Sequence, residues 1–133
     1  MTEKGRKRKR GKKYTVLENE IITLDNVSKA YATGAPALNG VSLHINRGEF
    51  VFIVGDSGSG KSTMIKLLLR ELTPTSGNIN VMGYDLVKIK HRKIPKFRRN
   101  LGIVFQDFRL IPKMTVFDNV AFAMRVTGVS SLS

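Results

Sequence analysis

The sequence predicts an α/β domain with a mixed β-sheet. Segments typical of strands alternate with segments typical of helices along the chain. Two of the strand-like segments, residues 50–54 (FVFIV) and 101–105 (LGIVF), are almost entirely apolar, as is usual for strands that are buried on both faces of a parallel sheet. The first of them passes through a glycine-rich turn directly into a helical segment. An order of strand, helix and strand indicates an α/β architecture.

Three further segments have the character of strands. Residues 21–25 (IITLD) form a short run of β-type residues. Residues 38–45 (LNGVSLHI) alternate between apolar and polar, which predicts a half-buried strand with Leu43 and Ile45 among the side chains that face inward. Residues 77–82 (GNINVM) predict another strand.

Three segments predict helices. Residues 61–72 carry apolar side chains at helical spacing and are followed by Pro74, which marks the end of the helix. Residues 95–100 predict a short basic helix. Residues 115–125 begin with a threonine that can cap a helix and hold Asp118 in the first turn, where a negative charge is favourable.

The composition excludes several classes of protein. A length of 133 residues suits one compact domain, and 41% hydrophobic residues with seven Phe are enough for a core. The absence of cysteine excludes disulfides, thiol nucleophiles and thiolate metal sites. The two histidines, His44 and His91, are too far apart to favour a histidine-rich metal site. No apolar run approaches the ~18 residues of a membrane-spanning helix, and no apolar stretch of a secretory signal follows the basic N-terminus. We therefore expect a soluble intracellular protein or a piece of one.

The formal net charge of +13 is confined to two segments. Residues 1–13 contain eight Lys/Arg and one acid, and residues 88–99 contain seven Lys/Arg and no acid, so each segment carries +7 and the rest is nearly neutral. A run of like charge without apolar partners repels itself, which predicts a solvated, disordered N-terminal tail. Residues 88–99 are most simply a solvated face. The alternatives for these segments are contact with nucleic acid or attraction to anionic lipid.

A phosphate-binding motif follows the first apolar run. Residues 55–62 (GDSGSGKS) fit the pattern G-x-x-x-x-G-K-S/T in full, between a predicted strand and a predicted helix. The glycines allow consecutive N–H groups to point inward, and the helix adds the positive end of its dipole. In this arrangement Lys61 reaches the β- and γ-phosphates of a nucleotide and the Ser62 hydroxyl can ligate Mg²⁺. The alternative is a glycine turn that caps a helix and fits the whole pattern by coincidence.

Segments on both sides of this motif resemble the ATPase domains of ABC transporters. The family's order and spacing are kept by residues 24–31 (LDNVSKAY), 37–43 (ALNGVSL), 48–50 (GEF), 76–79 (SGNI) and 103–106 (IVFQ). Other segments are similar to the branch of the family that acts in bacterial cell division: residues 50–55 (FVFIVG), 66–71 (KLLLRE), 95–99 and 104–110 (VFQDFRL). The last of these is the most specific to that branch.

The resemblance covers about residues 21–128 of the chain. It implies a P-loop NTPase core with a mixed sheet and an N-terminal antiparallel β subdomain, truncated before the helical subdomain. The predicted organisation has three parts: a basic disordered tail (1–19), the N-terminal part of an ABC ATPase domain from the P-loop through the Q-loop (20–128), and a severed or unassigned end (129–133).

The resemblance also implies a binding site for ATP and Mg²⁺. Its nucleotide-binding residues are one aromatic residue, the phosphate-binding loop and the start of the helix: Tyr31, Gly55, Asp56, Ser57, Gly58, Ser59, Gly60, Lys61, Ser62 and Thr63. Tyr31 matches the aromatic residue that stacks on adenine. Ser62 and Gln106 match the Mg²⁺ ligands. Lys61 and Gln106 take the catalytic roles, and the Gln106 amide also meets the attacking water. Outside the family frame, Tyr31 is an ordinary half-buried tyrosine and Gln106 is a turn residue.

Residues 107–119 match the region that contacts the membrane subunit of a transporter. Apolar and basic side chains lie together there: Phe108, Arg109, Leu110, Ile111, Lys113 and Met114. Such a mixture suits a docking surface, and packing against a neighbouring subdomain explains it nearly as well. By resemblance, the complete protein is a homodimer that binds a polytopic membrane protein at the cytoplasmic face of the cell membrane. Residues 88–99 would there lie near anionic lipid headgroups.

Three motifs of the family have no counterpart in residues 1–133: the signature motif, the second Walker motif with its catalytic carboxylate, and the switch histidine. Hydrolysis in the family needs that carboxylate and a signature motif from the partner protomer. We therefore expect the chain alone to bind nucleotide weakly and not to hydrolyse ATP. We also expect residues 50–54 and 101–105 to expose apolar surface and open sheet edges.

Two other functions are compatible with these features. The first is the ATPase subunit of a different ABC exporter or importer. The second is a nucleic-acid-binding module without enzymatic activity that uses the two basic segments. The sequence lacks the interleaved aromatic and basic residues of an RNA-binding motif, which argues against the second.

Overall fold

An antiparallel β-sheet is the main element of the structure, a computed structural model that describes residues 19–32, 34–107 and 109–128. The sheet has four strands: β1 (Glu20–Ala30), β2 (Pro36–Asn46), β3 (Ser76–Val81) and β4 (Tyr84–Asp85). Their order is β2-β1-β3-β4, and every pairing is antiparallel. The predicted N-terminal antiparallel subdomain is therefore confirmed.

Three α-helices and one short 3₁₀-helix complete the described fold. They are α1 (Lys61–Leu68), a 3₁₀-helix (His91–Lys93), α2 (Ile94–Arg98) and α3 (Val116–Thr127). No helix among the described residues is long and apolar enough to cross a membrane. The predicted tail (1–19), apart from Asn19, and the predicted end (129–133) lie outside the described residues.

Strand β1 lies at the centre of the sheet and contains an irregularity that shapes the core. Its pairing with both neighbours shifts register after residues 24–25, and Asn26 adopts a positive φ of 49°. An extra residue in one strand turns the following side chain to the other face. As a result Leu24 and Val27, three positions apart, are both fully buried.

The core forms where α1 and α2 cover this sheet. Its buried side chains come from strands β1, β2 and β3, from helices α1 and α2, and from the residue after β4: Leu24, Val27, Leu38, Met64, Leu67, Ile79, Val81, Leu86 and Phe97. Helix α2 is too short to be stable by itself and is held by Ile94 and Phe97, which are both buried. The Phe97 ring lies 5.4 Å from the Tyr84 ring, centroid to centroid. The basic side chains of α2 point away from this contact, so the helix is amphipathic.

The structure contradicts the prediction that residues 50–54 and 101–105 form buried strands. Neither segment is a strand, and Phe50 is 84% and Val104 100% exposed. A strand forms by hydrogen bonding to at least one neighbouring strand, and no described segment pairs with either run. The sheet of the described residues is therefore antiparallel rather than mixed. The expectation that these segments expose apolar surface is confirmed.

Helix α1 ends four residues earlier than predicted, at Leu68. The N–H groups of Arg70 and Glu71 donate to the carbonyls of Leu67 (3.0 Å) and Lys66 (2.8 Å), the two bonds of a Schellman motif. Arg70 takes the left-handed conformation of that motif, with φ of 56°, where glycine is the usual residue. The sequence has no glycine at this position to signal the end.

Helix α3 begins as predicted. Thr115 is its N-cap, and the threonine hydroxyl accepts a hydrogen bond from the Asp118 N–H (3.1 Å) while it donates to the Asp118 carboxylate (2.7 Å). The side chain thus satisfies one of the helix's free N–H groups. The helix extends to Thr127, two residues beyond the predicted end, and Gly128 caps it at φ of 89°.

We predict that Gly77→Ala destabilises the fold far more than Gly83→Ala. Both glycines have positive φ, 86° and 78°, which costs about 1–2 kcal/mol for an alanine. A Cβ at Gly77 would also lie 2.6 Å from the Asp25 carbonyl oxygen, on the central strand, whereas a Cβ at Gly83 meets nothing within 4 Å. The free energy of unfolding, measured in urea by far-UV circular dichroism, should fall by about 1 kcal/mol for Gly83→Ala and by about 3 kcal/mol or more for Gly77→Ala. Equal losses would show that the close approach of Gly77 to β1 does not constrain the fold.

Candidate functional site

The phosphate-binding motif forms a loop that leads directly into α1. Gly60 is the N-cap of the helix, and no side chain caps it. The first helical hydrogen bond runs from the Met64 N–H to the Gly60 carbonyl (2.9 Å). The N–H groups of the three residues before Met64 therefore lie ahead of the helical hydrogen bonds, where they can donate to an anion near the positive end of the helix.

Gly60 holds this loop tightly against strand β2. Its φ is 94°, and a Cβ at this position would overlap the Ala37 carbonyl oxygen and lie 2.8 Å from the Leu38 side chain. A residue with a side chain would therefore push the start of α1 away from the sheet. The glycine before the lysine of the motif is thus required by packing as well as by loop conformation.

Lys61 folds back into the loop. Its ammonium group donates hydrogen bonds to the carbonyls of Gly55 (2.6 Å) and Asp56 (2.7 Å) and to the Ser59 hydroxyl (3.2 Å). A bound phosphate would exchange these neutral acceptors for charged oxygens, and charge-assisted hydrogen bonds are the stronger ones. The loop thus carries a positive charge at the place where the sequence predicts phosphate.

Tyr31 lies beside the same helix. Its hydroxyl is 3.1 Å from the hydroxyl of Thr63, which is buried in the first turn of α1. The Tyr31 ring is 42% exposed, and the Lys29 ammonium lies 5.7 Å from its centroid. An exposed ring at this position can stack on a planar base while the loop holds its phosphates. The hydrogen bond to Thr63 was not predicted, because nothing local in the sequence links residues 32 positions apart.

The side chains of Ser62 and Gln106 form no hydrogen bond with each other in the structure. Both are exposed, and neither side chain hydrogen-bonds to another described residue. Among the described residues no group of three His, Cys, Asp or Glu side chains could hold a metal ion. Mg²⁺ prefers oxygen ligands and usually binds through few protein groups together with substrate phosphates. The Ser62 hydroxyl, next to Lys61 at the start of α1, fits that chemistry.

Two carboxyl groups have shifted pKa values, and both lie away from the loop. Burial works to raise the pKa of Asp85, but hydrogen bonds from the Lys88 side chain and from the Lys88 and Val87 N–H groups, with the Lys88 charge, lower it overall. Hydrogen bonds from the Asn46 side chain and backbone lower the pKa of Glu49. Both groups are held as carboxylates that stabilise turns, and neither is a candidate base for the loop.

A second feature is an apolar groove of ≈ 340 Å³ at the start of α3. Mostly apolar side chains line it: Leu110, Ile111, Pro112, Lys113, Met114, Val116, Asn119 and Val120. Asn119 fixes the loop that forms one wall, because its side chain accepts from the Ile111 N–H (2.8 Å) and donates to the Thr115 carbonyl (3.0 Å). Of the side chains predicted for a docking surface, Leu110, Ile111 and Met114 are brought together here. Phe108 lies outside the described residues.

Comparison with known proteins identifies relatives of the chain. The family described as ABC transporter matches residues 38–132. The cell division ATP-binding protein FtsE of Bacillus subtilis is 55% identical over 108 residues, which are 81% of this chain and 47% of the relative. FtsE of Escherichia coli K12 is 43% identical over 83% of this chain and 50% of the relative. The chain thus spans about half the length of the curated relatives it matches.

Solved structures give the same result. The chain superposes on the dimeric bacterial ABC transporter cassette MJ0796 with a TM-score of 0.77 and 38% identity, over 84% of this chain and 50% of that one. A dimer of the same cassette in a post-hydrolysis state, with ADP and phosphate bound, gives a TM-score of 0.76 at 37% identity, with the same two shares covered. The prediction that the chain has the fold of part of an ABC ATPase cassette is therefore confirmed.

We predict that Lys61→Ala weakens the binding of a fluorescent ATP analogue with Mg²⁺ by at least about tenfold, since a hydrogen bond to a charged group contributes about 1.5–3 kcal/mol. Lys66→Ala is the matched control, because Lys66 is an exposed lysine of the same helix. The far-UV spectrum should be unchanged in both variants. Equal affinities for the two variants would refute the assignment of Lys61 to the phosphate site.

Proposed function

Because the chain belongs to the ABC transporter family, we propose that it is the nucleotide-binding part of an FtsE-type ATP-binding subunit that acts in bacterial cell division. The phosphate loop carries the nucleotide-binding part of this proposal, because its lysine, its glycine contact with β2 and the start of α1 form one anion-binding unit. Relatives named FtsE in several bacteria, 43–55% identical, support the choice of branch.

The proposed mode of ATP binding uses two ends of the site. At one end, the loop N–H groups, the start of α1 and Lys61 bind the phosphates. At the other end, the exposed ring of Tyr31 stacks on adenine. Tyr31 is held beside the first turn of α1 by the contact between its hydroxyl and that of Thr63. Mg²⁺, when bound, would supply positive charge that stabilises the phosphates. Ser62 would hold it, and we assign Gln106 to the same ion and to the water that attacks the γ-phosphate in the complete protein.

The proposed partner is a polytopic membrane protein of the FtsX type. The groove at the start of α3 supports this proposal, because it is open, apolar and fixed in shape by Asn119. An exposed apolar groove of this kind suits a short helix of a partner. We place the complete protein as a homodimer at the cytoplasmic face of the membrane, where binding and hydrolysis of ATP would move the partner.

A different ABC exporter or importer subunit is the alternative within the family. Such proteins share the phosphate loop, so the loop does not distinguish them from FtsE. Residues 104–119, which include the docking groove except Val120, are the part of the chain that would differ. Their similarity to the cell-division branch favours the FtsE type. A nucleic-acid-binding module finds no support in the family to which the chain belongs.

We predict that Tyr31→Ala weakens ATP binding by about tenfold but leaves the binding of inorganic tripolyphosphate unchanged, because base stacking on an aromatic ring contributes about 1–3 kcal/mol. Tyr31→Phe keeps the ring, removes only the hydroxyl bonded to Thr63, and should bind ATP almost as well as the unmodified chain. Titration calorimetry with both ligands separates the contribution of the base from that of the phosphates. If Tyr31→Ala weakened both ligands equally, Tyr31 would support the loop rather than bind the base.

A further inference from the structure

A cavity of ≈ 370 Å³ lies at the C-terminal end of α1, opposite to the end that carries the phosphate loop. It is enclosed between the residues that follow α1 and the segment that contains α2. Four of its lining residues can carry charge: Arg70, Glu71, His91 and Arg98. The remaining walls are apolar. The cavity uses none of the residues assigned to ATP or to the docking groove.

Arg98 fixes the cavity in place. Its Nε donates to the Leu69 carbonyl (2.8 Å) and its Nη2 donates to the Arg70 carbonyl (3.1 Å). These bonds tie α2 to the two residues that follow α1, whose carbonyls have no helical partners. They also use only two of the five N–H donors of the guanidinium group, and the planar group is held rigidly at the cavity wall.

Arg70 brings a second guanidinium group to the same cavity. It occupies the left-handed position that ends α1 (φ 56°), which is costly for an arginine. Its Nε is enclosed and has no hydrogen-bond partner among the described residues. No carboxylate of the described residues forms an ion pair with it. The structure thus holds an unpaired charge here at a conformational cost.

The one acid of the cavity is already engaged. The Glu71 carboxylate lies 3.6 Å from the guanidinium group of Arg109, which stands outside the cavity lining. Arg70 and Arg98 therefore leave the cavity with a net positive charge. The Arg98 guanidinium group is fixed by its two hydrogen bonds, and the Arg70 guanidinium group lines the same cavity. Guanidinium groups are suited to bind phosphate oxygens with two hydrogen bonds.

The cavity opens on the most basic surface among the described residues. Residues 88–99 contain seven Lys/Arg and no acid. Ile94 and Phe97 bury the apolar side of this segment, and basic residues such as Arg92, Lys93 and Lys96 are exposed. A surface of this kind is attracted to a membrane that carries anionic lipid.

We propose that this cavity binds a phosphate group, and that the phosphate is the headgroup of an anionic lipid held against residues 88–99. The proposal goes beyond the proposed function, since it gives the chain a direct contact with lipid that depends on neither ATP nor a protein partner. Arg70 and Arg98 bind the phosphate oxygens, and the surrounding lysines and arginines attract the membrane surface.

The test measures co-sedimentation of the full chain with vesicles of phosphatidylcholine alone and of phosphatidylcholine with 30% phosphatidylglycerol, a test mixture chosen as roughly that of an anionic membrane. The variant is Arg70→Gly, which removes the guanidinium group and places glycine where the backbone favours it. The matched control is Arg125→Ala, which removes one guanidinium group at an exposed residue in the last turn of α3. Arg125 lines neither the cavity nor the apolar groove. Arg70→Asn, which also tolerates this conformation, serves as a second variant.

We expect the chain to bind only the anionic vesicles. Arg70→Gly and Arg70→Asn should bind them at least about fivefold more weakly, and Arg125→Ala should bind them like the unmodified chain. Equal losses in Arg70→Gly and Arg125→Ala would overturn the cavity in favour of diffuse charge. A second arm titrates inorganic phosphate and follows the amide NMR signals of Glu71 and His91. If these signals shift with phosphate but Arg70→Gly has no effect on vesicle binding, the cavity binds free phosphate. That result would overturn the claim that the bound phosphate is a lipid headgroup.

The same variants keep this proposal separate from nucleotide binding. Arg70 contacts no residue of the phosphate loop, so Arg70→Gly should bind the fluorescent ATP analogue with the affinity of the unmodified chain. Lys61→Ala should conversely retain its binding to anionic vesicles. Loss of both activities in either variant would contradict the independence of the two sites.

Discussion

The close approach of Gly60 to strand β2 is the constraint on which the rest of the site depends. Because no side chain fits between Gly60 and the Ala37 carbonyl, the start of α1 lies directly on the sheet. Leu38, next in the strand, is buried in the same core as Met64 of α1, so packing and loop geometry fix one helix position. The fixed first turn then receives the hydroxyl of Tyr31, which follows β1. Sheet, phosphate loop and aromatic residue are thus held as one unit.

The sequence predicted those parts of the fold that local chemistry determines. The threonine cap and Asp118 define the start of α3, and the glycine and lysine pattern defines the loop before α1. Long-range features were not predictable in this way. The apolar runs indicated strands, but a strand needs neighbours, and the described residues supply none for residues 50–54. The end of α1 was misplaced because Arg70 occupies a position where the sequence rule expects glycine. The roles of Tyr31, Lys61, Ser62 and Gln106 in binding ATP and Mg²⁺ stay predictions.

Arg109 connects the two surfaces proposed to face the membrane. Its guanidinium group lies 3.8 Å from the centroid of the Phe105 ring and forms ion pairs with Glu71 (3.6 Å) and Asp107 (3.4 Å). Glu71 lines the basic cavity, and Leu110, which follows Arg109 in the chain, lines the apolar groove. Exposed ion pairs contribute little to stability, so this group is better understood as a geometric link. The groove and the cavity both adjoin Arg109. This arrangement suits the proposal that the groove contacts a protein while the cavity contacts a lipid surface.

The central claim is that residues 55–63 form the phosphate site, and amide hydrogen exchange with and without ATP and Mg²⁺ tests it most directly. The free N–H groups at the start of α1 should exchange markedly more slowly when phosphate oxygens accept their hydrogen bonds. We expect this protection in peptides that cover residues 55–63, with a smaller effect around Tyr31 and none in residues 88–99. Unchanged exchange in residues 55–63, together with nucleotide-dependent protection of residues 88–99, would contradict the account, because ATP would then be bound by the basic surface.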